Sequence, residues 1–216
     1  MVNVKDYTAV PAEDKLQAIF KQQRLLMEKY HEIEHMTTGA IIPTPPLNLH
    51  LMTHQLRLKD FAWRVTEELG EALEAVPDWA HVEEEISDAL HFLTELSILA
   101  AYPLDSGACT LESLFNAAND LMGPSKTAFR EQNQVCLTYR AGVVMMHLSR
   151  AMNCLKNKPW KQTHMITDTA HFYNCIAETW MAFFQLCIVA GIDAVKLYDL
   201  YSRKKQVNEF RQGSNY

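Results

Sequence analysis

Four acidic residues occur as two pairs at a spacing that favours metal binding. The first pair, Glu68 and Glu71, lies in TEELGEAL, and the second, Glu85 and Asp88, lies in EEEISDALHF. Residues three positions apart share one face of a helix, and the short linker predicts an antiparallel hairpin whose acidic faces meet. Carboxylates brought together repel one another, and burying them unpaired is costly. Oxygen ligands without His or Cys select Mg²⁺, or Mn²⁺, over zinc, so the acids predict a magnesium site.

Apolar residues beside the acids are consistent with a site at the edge of a hydrophobic core. Stripes at helical spacing run next to the acidic positions, formed by Leu69, Leu73 and Val76 on the first helix and by Ile86, Ala89, Leu90, Leu93 and Leu96 on the second. The alternative is an acidic surface helix, because Glu is a favourable residue in exposed helices. A lone ExxE motif favours that alternative, whereas ExxE followed by ExxD on an adjacent helix favours the metal site.

The elements that position these acids are predicted to be helices throughout. Stretches rich in Ala, Leu, Glu and Met repeat apolar residues at helical spacing, while strand patterns are almost absent. We therefore expect an all-α helical bundle in one domain over residues 1–216, with the acidic helix pair at about 51–101. Helices are predicted at about 12–36, 51–76, 81–101, 111–120, 133–157, 168–190 and 193–210.

The composition argues against several classes of protein. The net charge of -6 disfavours nucleic-acid binding, which needs a basic face. The five cysteines show no CxxC spacing, so we expect free thiols in a reducing compartment and no zinc site. The N-terminus lacks a signal pattern, and the apolar run 180–192 is too short to cross a bilayer. These features predict a cytoplasmic protein without a membrane partner.

The two halves of the sequence show an internal similarity. Residues 68–75 align with 147–154, and residues 85–100 align with 175–190. A real repeat would make about 133–190 a degenerate copy that supports a single acidic site. Amphipathic helices that resemble one another by chance are the alternative. The apolar positions are shared but the acids are not, since Glu68 aligns with His147, Glu71 with Arg150, Glu85 with Cys175, and Asp88 with Glu178.

The order of the motifs resembles that of a known superfamily. ExxE, then ExxD followed by His91 and Phe92, is similar to the pattern of the all-α nucleoside triphosphate pyrophosphatases, which include MazG-type enzymes and dimeric dUTPases. The resemblance covers residues 60–104 and 180–216 well and 12–36 weakly. Dimeric dUTPases and phage dCTPase-dUTPases end in a motif that is matched here by Tyr201, Lys204, Asn208, Arg211, Gln212 and Tyr216.

The resemblance implies a reaction and a set of metal ligands. Hydrolysis between the α- and β-phosphates of a deoxynucleoside triphosphate would give the monophosphate and pyrophosphate. One carboxylate, which we assign to Glu68, would orient or deprotonate the attacking water as the catalytic residue. Metal ions suit this chemistry because they neutralise phosphate charge and activate water. The metal would be held by Glu68, Glu71, Glu85 and Asp88.

The resemblance also implies how the substrate binds. A C-terminal helix at about 193–216 would supply phosphate clamps, because bidentate Arg and point-charge Lys suit phosphate oxygens; a basic last turn that complements the helix dipole is the alternative. Two aromatic residues would flank the base by stacking, although core packing is an equal alternative. The predicted substrate-binding residues are Gln23, Trp79, Phe92, Lys204, Asn208 and Arg211.

Which base is bound stays open at this stage. The family reads uracil with a Gln followed three residues later by an Asn; here Gln23 fits, but Leu26 occupies the Asn position. We expect dUTP as the substrate, with dCTP, both pyrimidines, or a purine or modified nucleotide as alternatives. A catalytically inactive helical regulator that binds nucleotides is the alternative from another class.

A homodimer is expected from the resemblance to dimeric dUTPases. The sequence itself adds only apolar helical residues, such as Phe183, Phe184, Leu186 and Ile188, which in general belong to a core more often than to an interface. The resemblance to phage enzymes would make the location the host cytoplasm if the chain is viral.

Overall fold

A computed structural model describes residues 13–123 and 133–214 of the chain. No strand occurs among these residues, so the predicted all-α fold is confirmed. The helix boundaries lie within three residues of the predicted ones. The described residues form seven helices, α1 (Lys15–Thr38), α2 (Met52–Glu74), α3 (Trp79–Leu99), α4 (Leu111–Leu121), α5 (Gln134–Cys154), α6 (Thr169–Val189) and α7 (Ala194–Gly213).

Most of these helices begin at a residue whose side chain caps the first turn. In α3 the carboxylate of Asp78 accepts a hydrogen bond from the backbone N–H of His81. Such a cap satisfies one of the backbone N–H groups that have no partner within the helix. Local residue choice therefore determines where the helices start. The other side-chain caps are Asp14 for α1, Thr110 for α4, Asn133 for α5, Asp168 for α6 and Asp193 for α7.

The helices are organised around two antiparallel hairpins, α2 with α3 and α5 with α6. In the first hairpin, Phe61 lies against Phe92. Glu68, which follows Phe61 on α2, meets Asp88, which precedes Phe92 on α3. Later positions on α2 thus meet earlier positions on α3, as two helices joined by a short turn require. The second hairpin shows the same order, with hydrogen-bonded pairs Arg140–Gln185 and His147–Glu178.

The two hairpins match in detail at the ends of their second helices. Both α3 and α6 have 21 residues, and each begins after an Asp cap and is followed by an Ala. The next residue has a left-handed backbone in both, with φ of 55° at Ala101 and 79° at Gly191. The two hairpins therefore share their caps and turns at these positions, as an internal repeat would require.

The remaining helices cover the acidic hairpin and join the two halves. Helices α1 and α7 pack on α3, α4 packs on α6, and α2 contacts α5. The indole Nε1 of Trp180 on α6 donates a hydrogen bond to Ser97 Oγ on α3 over 2.9 Å. The same indole packs against Phe20 of α1. One core is therefore shared between the halves.

Helix α6 runs through this core. By length and composition it could cross a membrane, but most of it is buried among the other helices, as in the core helix of a globular fold. Phe183, Phe184 and Leu186 are fully buried and Ile188 packs against the core. Phe183, Phe184 and Leu186 are therefore core within one chain and supply no surface for a dimer.

Candidate active site

Three acids converge near the closed end of the α2–α3 hairpin. A carboxylate oxygen of each of Glu68, Glu85 and Asp88 lies within 4.8 Å of the others. Glu85 is buried and the other two are half-buried. The donors are all carboxylate oxygens, a set that suits a hard divalent cation such as Mg²⁺. The structure thus brings together three of the four predicted metal ligands.

The fourth predicted ligand, Glu71, lies beside this cluster rather than within it. Its side chain is exposed. It is close enough for its charge to raise the pKa of Glu68. Glu71 therefore belongs to the acidic site electrostatically, while its carboxylate stands on the solvent side of the other three.

The clustering shifts the proton affinity of the acids. Burial, together with the charges of Asp88 and Glu71 and a hydrogen bond with Glu85, raises the pKa of Glu68 to about 8. Burial also raises the pKa of Asp88, against the opposing effect of Lys204. Like charges held together in a poorly solvated place favour protonation. A bound cation would remove that repulsion, so the acids are suited to hold one.

Two basic side chains contact the cluster from its edges. The ammonium group of Lys204, on α7, lies 2.6 Å from Asp88 Oδ2 and 2.9 Å from Glu84 Oε1. The imidazole Nε2 of His81 lies 2.7 Å from Glu85 Oε1. Lys204 was predicted from the C-terminal motif. His81 was not, although its position four residues before Glu85 on the same helical face is a signal that the sequence carries.

A pocket of about 340 Å³ opens directly beside the acids. Glu68 and Asp88 line the part of the pocket that adjoins the acidic cluster. Helices α1, α2, α3 and α7 all contribute to it. Its other lining residues are Gln23, Leu26, Tyr30, His31, Glu34, Arg57, Phe61, Arg64, His91, Phe92, Glu95, Lys204, Asn208 and Arg211.

A buried hydrogen-bond network centred on Gln23 forms the floor of the pocket. The side-chain amide of Gln23 donates to Glu95 Oε2 over 3.1 Å. Its carbonyl oxygen therefore faces the other way, where it accepts from the hydroxyl of Tyr201 at 3.0 Å and from Nδ1 of His91 at 2.9 Å. The rings of His91 and Tyr201 stack with centroids 4.2 Å apart. These contacts hold Gln23 in one orientation.

The network leaves hydrogen-bond acceptors available in the pocket. Burial lowers the pKa of His91 to about 3, so its imidazole is neutral at physiological pH. Because Nδ1 carries the proton that is donated to Gln23, Nε2 is an acceptor, and it is buried without a hydrogen-bond partner among the described residues. Burial also raises the pKa of Glu95 to about 7. A ligand with an N–H group would satisfy these acceptors.

The structure places most of the predicted substrate-binding residues around this pocket. Gln23, Phe92, Lys204, Asn208 and Arg211 all line it. Trp79, the first residue of α3, packs partly buried against the core and does not line the pocket. Sequence reasoning missed the polar and charged residues that approach from α1 and α2, because only packing of distant segments brings them here. They include Tyr30, His31, Glu34, Arg57 and Arg64, together with Glu95 of α3.

One family of known proteins matches most of the chain. A family model described as dUTPase matches residues 72–216 of the chain. The chain belongs to the dUTPase family. The matched segment includes Glu85, Asp88 and the C-terminal motif, while Glu68 and Glu71 stand just before its first residue. No curated protein matches the chain.

The residues of the C-terminal motif lie along one face of α7 in this member of the dUTPase family. Tyr201, Lys204, Asn208 and Arg211 recur at intervals of three or four residues, which places them along one face of the helix. That face meets the pocket and the acidic cluster. Gln212 continues it by donating to the backbone oxygen of Leu26, and Tyr216 lies outside the described residues.

The acidic site should make the stability of the metal-free protein fall as the pH rises from about 6.5 to 8. Folded Glu68 keeps its proton up to a pKa of about 8, and Glu95 up to about 7, whereas a Glu in the unfolded chain titrates near 4.5. The folded state thus binds more protons in this range, and raising the pH removes that stabilisation. His91 has the opposite effect, but only below its ordinary pKa of 6.5.

Thermal unfolding followed by circular dichroism, with and without Mg²⁺, measures this dependence. We expect Tm to fall across the range without Mg²⁺, and the increase caused by Mg²⁺ to be larger at pH 8 than at pH 6.5. The Glu68→Gln variant should show a flatter pH dependence, since it lacks the carboxyl group whose pKa is about 8. A Tm that rises with pH in the metal-free wild type would contradict the assignment.

Proposed function

We propose that the chain hydrolyses dUTP to dUMP and pyrophosphate in a Mg²⁺-dependent reaction. The observation that carries the proposal is the direct junction between the acidic cluster and a pocket whose far end has buried hydrogen-bond acceptors. A nucleotide can lie across this junction with its phosphates at the acids and its base on the floor. The family description supports the same reaction type.

The acids would hold the metal and the attacking water. Glu85, Asp88 and Glu68, with Glu71 from the solvent side, form the ligand set of the proposal. A bound Mg²⁺ would neutralise charge on the phosphate oxygens and lower the pKa of bound water. Glu68 is suited to orient the attacking water and accept its proton, since it is half-buried, faces Glu85 and Asp88, and lines the pocket.

Basic groups of α7 would bind the phosphate chain. Lys204 lies against Asp88, and Arg211 lines the same pocket two helical turns further along α7. A guanidinium group can bind two phosphate oxygens at once, whereas an ammonium group acts as a mobile point charge. The amide of Asn208 lies between them on the same face. Together they would align the α–β phosphate bond with the water at Glu68.

The floor network would recognise the base. Nε2 of His91 is an acceptor and can receive the N3–H of uracil. Phe92 offers an aromatic face, against which Phe61 packs with ring centroids 6.3 Å apart, and stacking on aromatic rings favours a planar base. Glu95, with a pKa of about 7, donates to a uracil carbonyl when protonated. These groups complement the edge of uracil.

The residues at the floor of the pocket also support dCTP as a second candidate substrate. Leu26 lines the pocket where the family pattern has an Asn, so one amide that reads uracil is replaced by an apolar side chain. Ionised Glu95 is an acceptor, as is His91 Nε2, and the amino group of cytosine has two N–H donors. A carboxylate beside the base thus favours cytosine when it is ionised.

A panel of the deoxynucleoside triphosphates with detection of pyrophosphate tests the proposal. We expect kcat/KM for dUTP to exceed that for every other nucleotide at pH 7 in the presence of Mg²⁺. Equal or faster hydrolysis of dCTP would transfer the assignment to dCTP. Absence of hydrolysis of any nucleotide with Mg²⁺ or Mn²⁺ would favour the inactive nucleotide-binding regulator.

The Leu26→Asn variant sharpens this test. It restores the family's amide at the pocket wall, so we expect the ratio of kcat/KM for dUTP to that for dCTP to rise by about tenfold or more, the effect of one well-placed hydrogen bond. Leu25→Asn is a matched control, because Leu25 is exposed on the neighbouring position of α1. If the ratio of kcat/KM for dUTP to that for dCTP is unchanged in Leu26→Asn, residue 26 does not determine which base is bound.

The proposal includes a homodimer in the cytoplasm, as the resemblance to dimeric dUTPases implies. Exposed apolar side chains on α2, such as Leu56 and Trp63, offer surface that a partner could cover. Sedimentation velocity at micromolar concentration measures the state directly. A monomer across the concentration range used for activity would exclude the dimer as the active form.

A further inference from the structure

The second hairpin contains a cluster of metal-binding side chains that the proposed reaction does not use. The Sγ atoms of Cys154 and Cys175 and the imidazole of His171 lie within 4.8 Å of one another. His171 Nε2 is 3.9 Å from Cys175 Sγ. The sequence alone predicted no zinc site, because these cysteines are 21 positions apart and lack CxxC spacing. The fold brings them together.

The distance between His171 Nε2 and Cys175 Sγ is close to that in a tetrahedral metal site. With Zn–S bonds of about 2.3 Å and Zn–N bonds of about 2.0–2.1 Å, ligand atoms around tetrahedral zinc stand roughly 3.5–3.8 Å apart. The measured 3.9 Å is close to this range. Small rotations of the side chains would therefore suffice to close the cluster around an ion. Two thiolates and a neutral imidazole are soft ligands, which select zinc over magnesium.

The helices hold the three ligands from both sides of the hairpin. Cys154 is the last residue of α5, whereas His171 and Cys175 lie one turn apart in the first turns of α6. The N–H of His171 donates to the cap Asp168. In the alignment of the two halves, His171 and Cys175 occupy the positions of His81 and Glu85, whose side chains are in contact in the acidic hairpin. The histidine is present in both hairpins, and a soft thiol stands where the first hairpin has a hard carboxylate.

The surroundings leave room for a fourth ligand and balance the charge. A cavity of about 350 Å³ adjoins the cluster and is lined by Cys154, Asp168 and His171. Water in this cavity can complete a tetrahedron. The nearby cation Arg150 is paired with Glu178 at 2.6 Å, and two thiolates would neutralise the charge of a divalent ion. The thiols themselves are buried, with 8% of Cys154 and 0% of Cys175 exposed.

We propose that Cys154, His171 and Cys175 bind one thiophilic divalent cation, Zn²⁺, which ties the end of α5 to the start of α6. The site is separate from the acidic cluster and serves the structure of the second hairpin. It does not depend on the identity of the nucleotide that the first hairpin binds.

Cobalt substitution tests this site in the full-length protein with excess Mg²⁺ present. Co²⁺ bound by two thiolates and a nitrogen should give a thiolate-to-cobalt charge-transfer band and the intense visible bands of tetrahedral coordination, saturating at about one ion per chain. Zn²⁺ should displace the colour. The double variant Cys154→Ser/Cys175→Ser should lose both bands, and His171→Ala should weaken binding.

The controls separate this site from others. Cys109→Ser removes an exposed thiol outside the cluster and should leave the spectrum unchanged, as should Glu85→Gln in the acidic site. His171 is exposed, so its variant should fold normally even if the buried cysteine variants do not. Co²⁺ spectra without charge-transfer bands, or identical spectra in wild type and His171→Ala, would overturn the proposal. So would a Cys154–Cys175 disulfide, detected as two fewer thiols in the denatured protein.

Discussion

Replacing Glu68 with glutamine is expected to lower kcat for the nucleotide substrate by about 10²–10⁴-fold, the usual contribution of a general base. The substitution keeps the shape of the side chain but removes the group whose pKa is about 8 and which faces Asp88 and Glu85. An amide cannot accept the proton of the attacking water. Steady-state kinetics at saturating Mg²⁺ and substrate measure the effect, with the substrate KM changing less than kcat.

Glu67→Gln is the matched control for this variant. Glu67 is the preceding residue, but it is exposed and accepts a hydrogen bond from Trp63 Nε1 on its own helix. Its kcat should stay within about twofold of wild type, as for a typical surface change. A kcat for Glu68→Gln close to that of Glu67→Gln would remove Glu68 from the catalytic role. Glu71→Gln should mainly raise the Mg²⁺ concentration needed for activity, since Glu71 lies on the solvent side of the cluster.

Replacing Trp180 with alanine is expected to lower the free energy of unfolding by about 3–5 kcal/mol, the range for deleting a large buried aromatic side chain. Trp180 is 1% exposed and its ring lies 5.5–6.1 Å from the rings of Phe184, Phe183 and Phe20. Its indole also donates to Ser97 across the two halves. The variant would lose both the packing and this link. Urea unfolding followed by circular dichroism measures the change.

Trp160→Ala provides the comparison for this prediction. Trp160 is 75% exposed in the loop between α5 and α6, so its removal should change the free energy of unfolding by less than about 0.5 kcal/mol. The difference between the two variants separates the effect of the shared core from the general effect of removing a tryptophan. Equal destabilisation by the two substitutions would contradict the structure. A Trp180→Ala effect below about 1 kcal/mol would contradict the claim that this indole joins the halves.

The two hairpins differ in how the charge of their acidic side chains is balanced. In the first, three acids face one another and Lys204 contacts them from α7. In the second, Glu178 is paired with His147 at 3.0 Å and Arg150 at 2.6 Å. The second hairpin thus neutralises its remaining acid with basic side chains from its own helix pair. It therefore needs no divalent cation at that point, and in residues 13–123 and 133–214 only the first hairpin brings three carboxylates together.

Much of the fold was predictable because its determinants are local. Apolar spacing, caps such as Asp78 and Asp168, and turn residues such as Gly191 act within a few residues of themselves. The acidic pairs were predictable for the same reason, since two residues three apart on a helix must share a face. The short link between α2 and α3 then leaves only one way for those faces to meet. The position of Lys204 and Arg211 at the pocket agrees with the C-terminal motif that carries the family resemblance.

Only the tertiary structure decided the rest of the site, because it depends on contacts between residues far apart in the chain. Gln23, Glu95 and Tyr201 meet across separations of 72 and 178 residues. Helix spacing does not encode such contacts. The same packing leaves Glu71 exposed and Trp79 outside the pocket. The sequence by itself determined which acidic residues can bind a cation and which helices carry them. The packing of α1 and α7 on the acidic hairpin decided which residues face a common pocket.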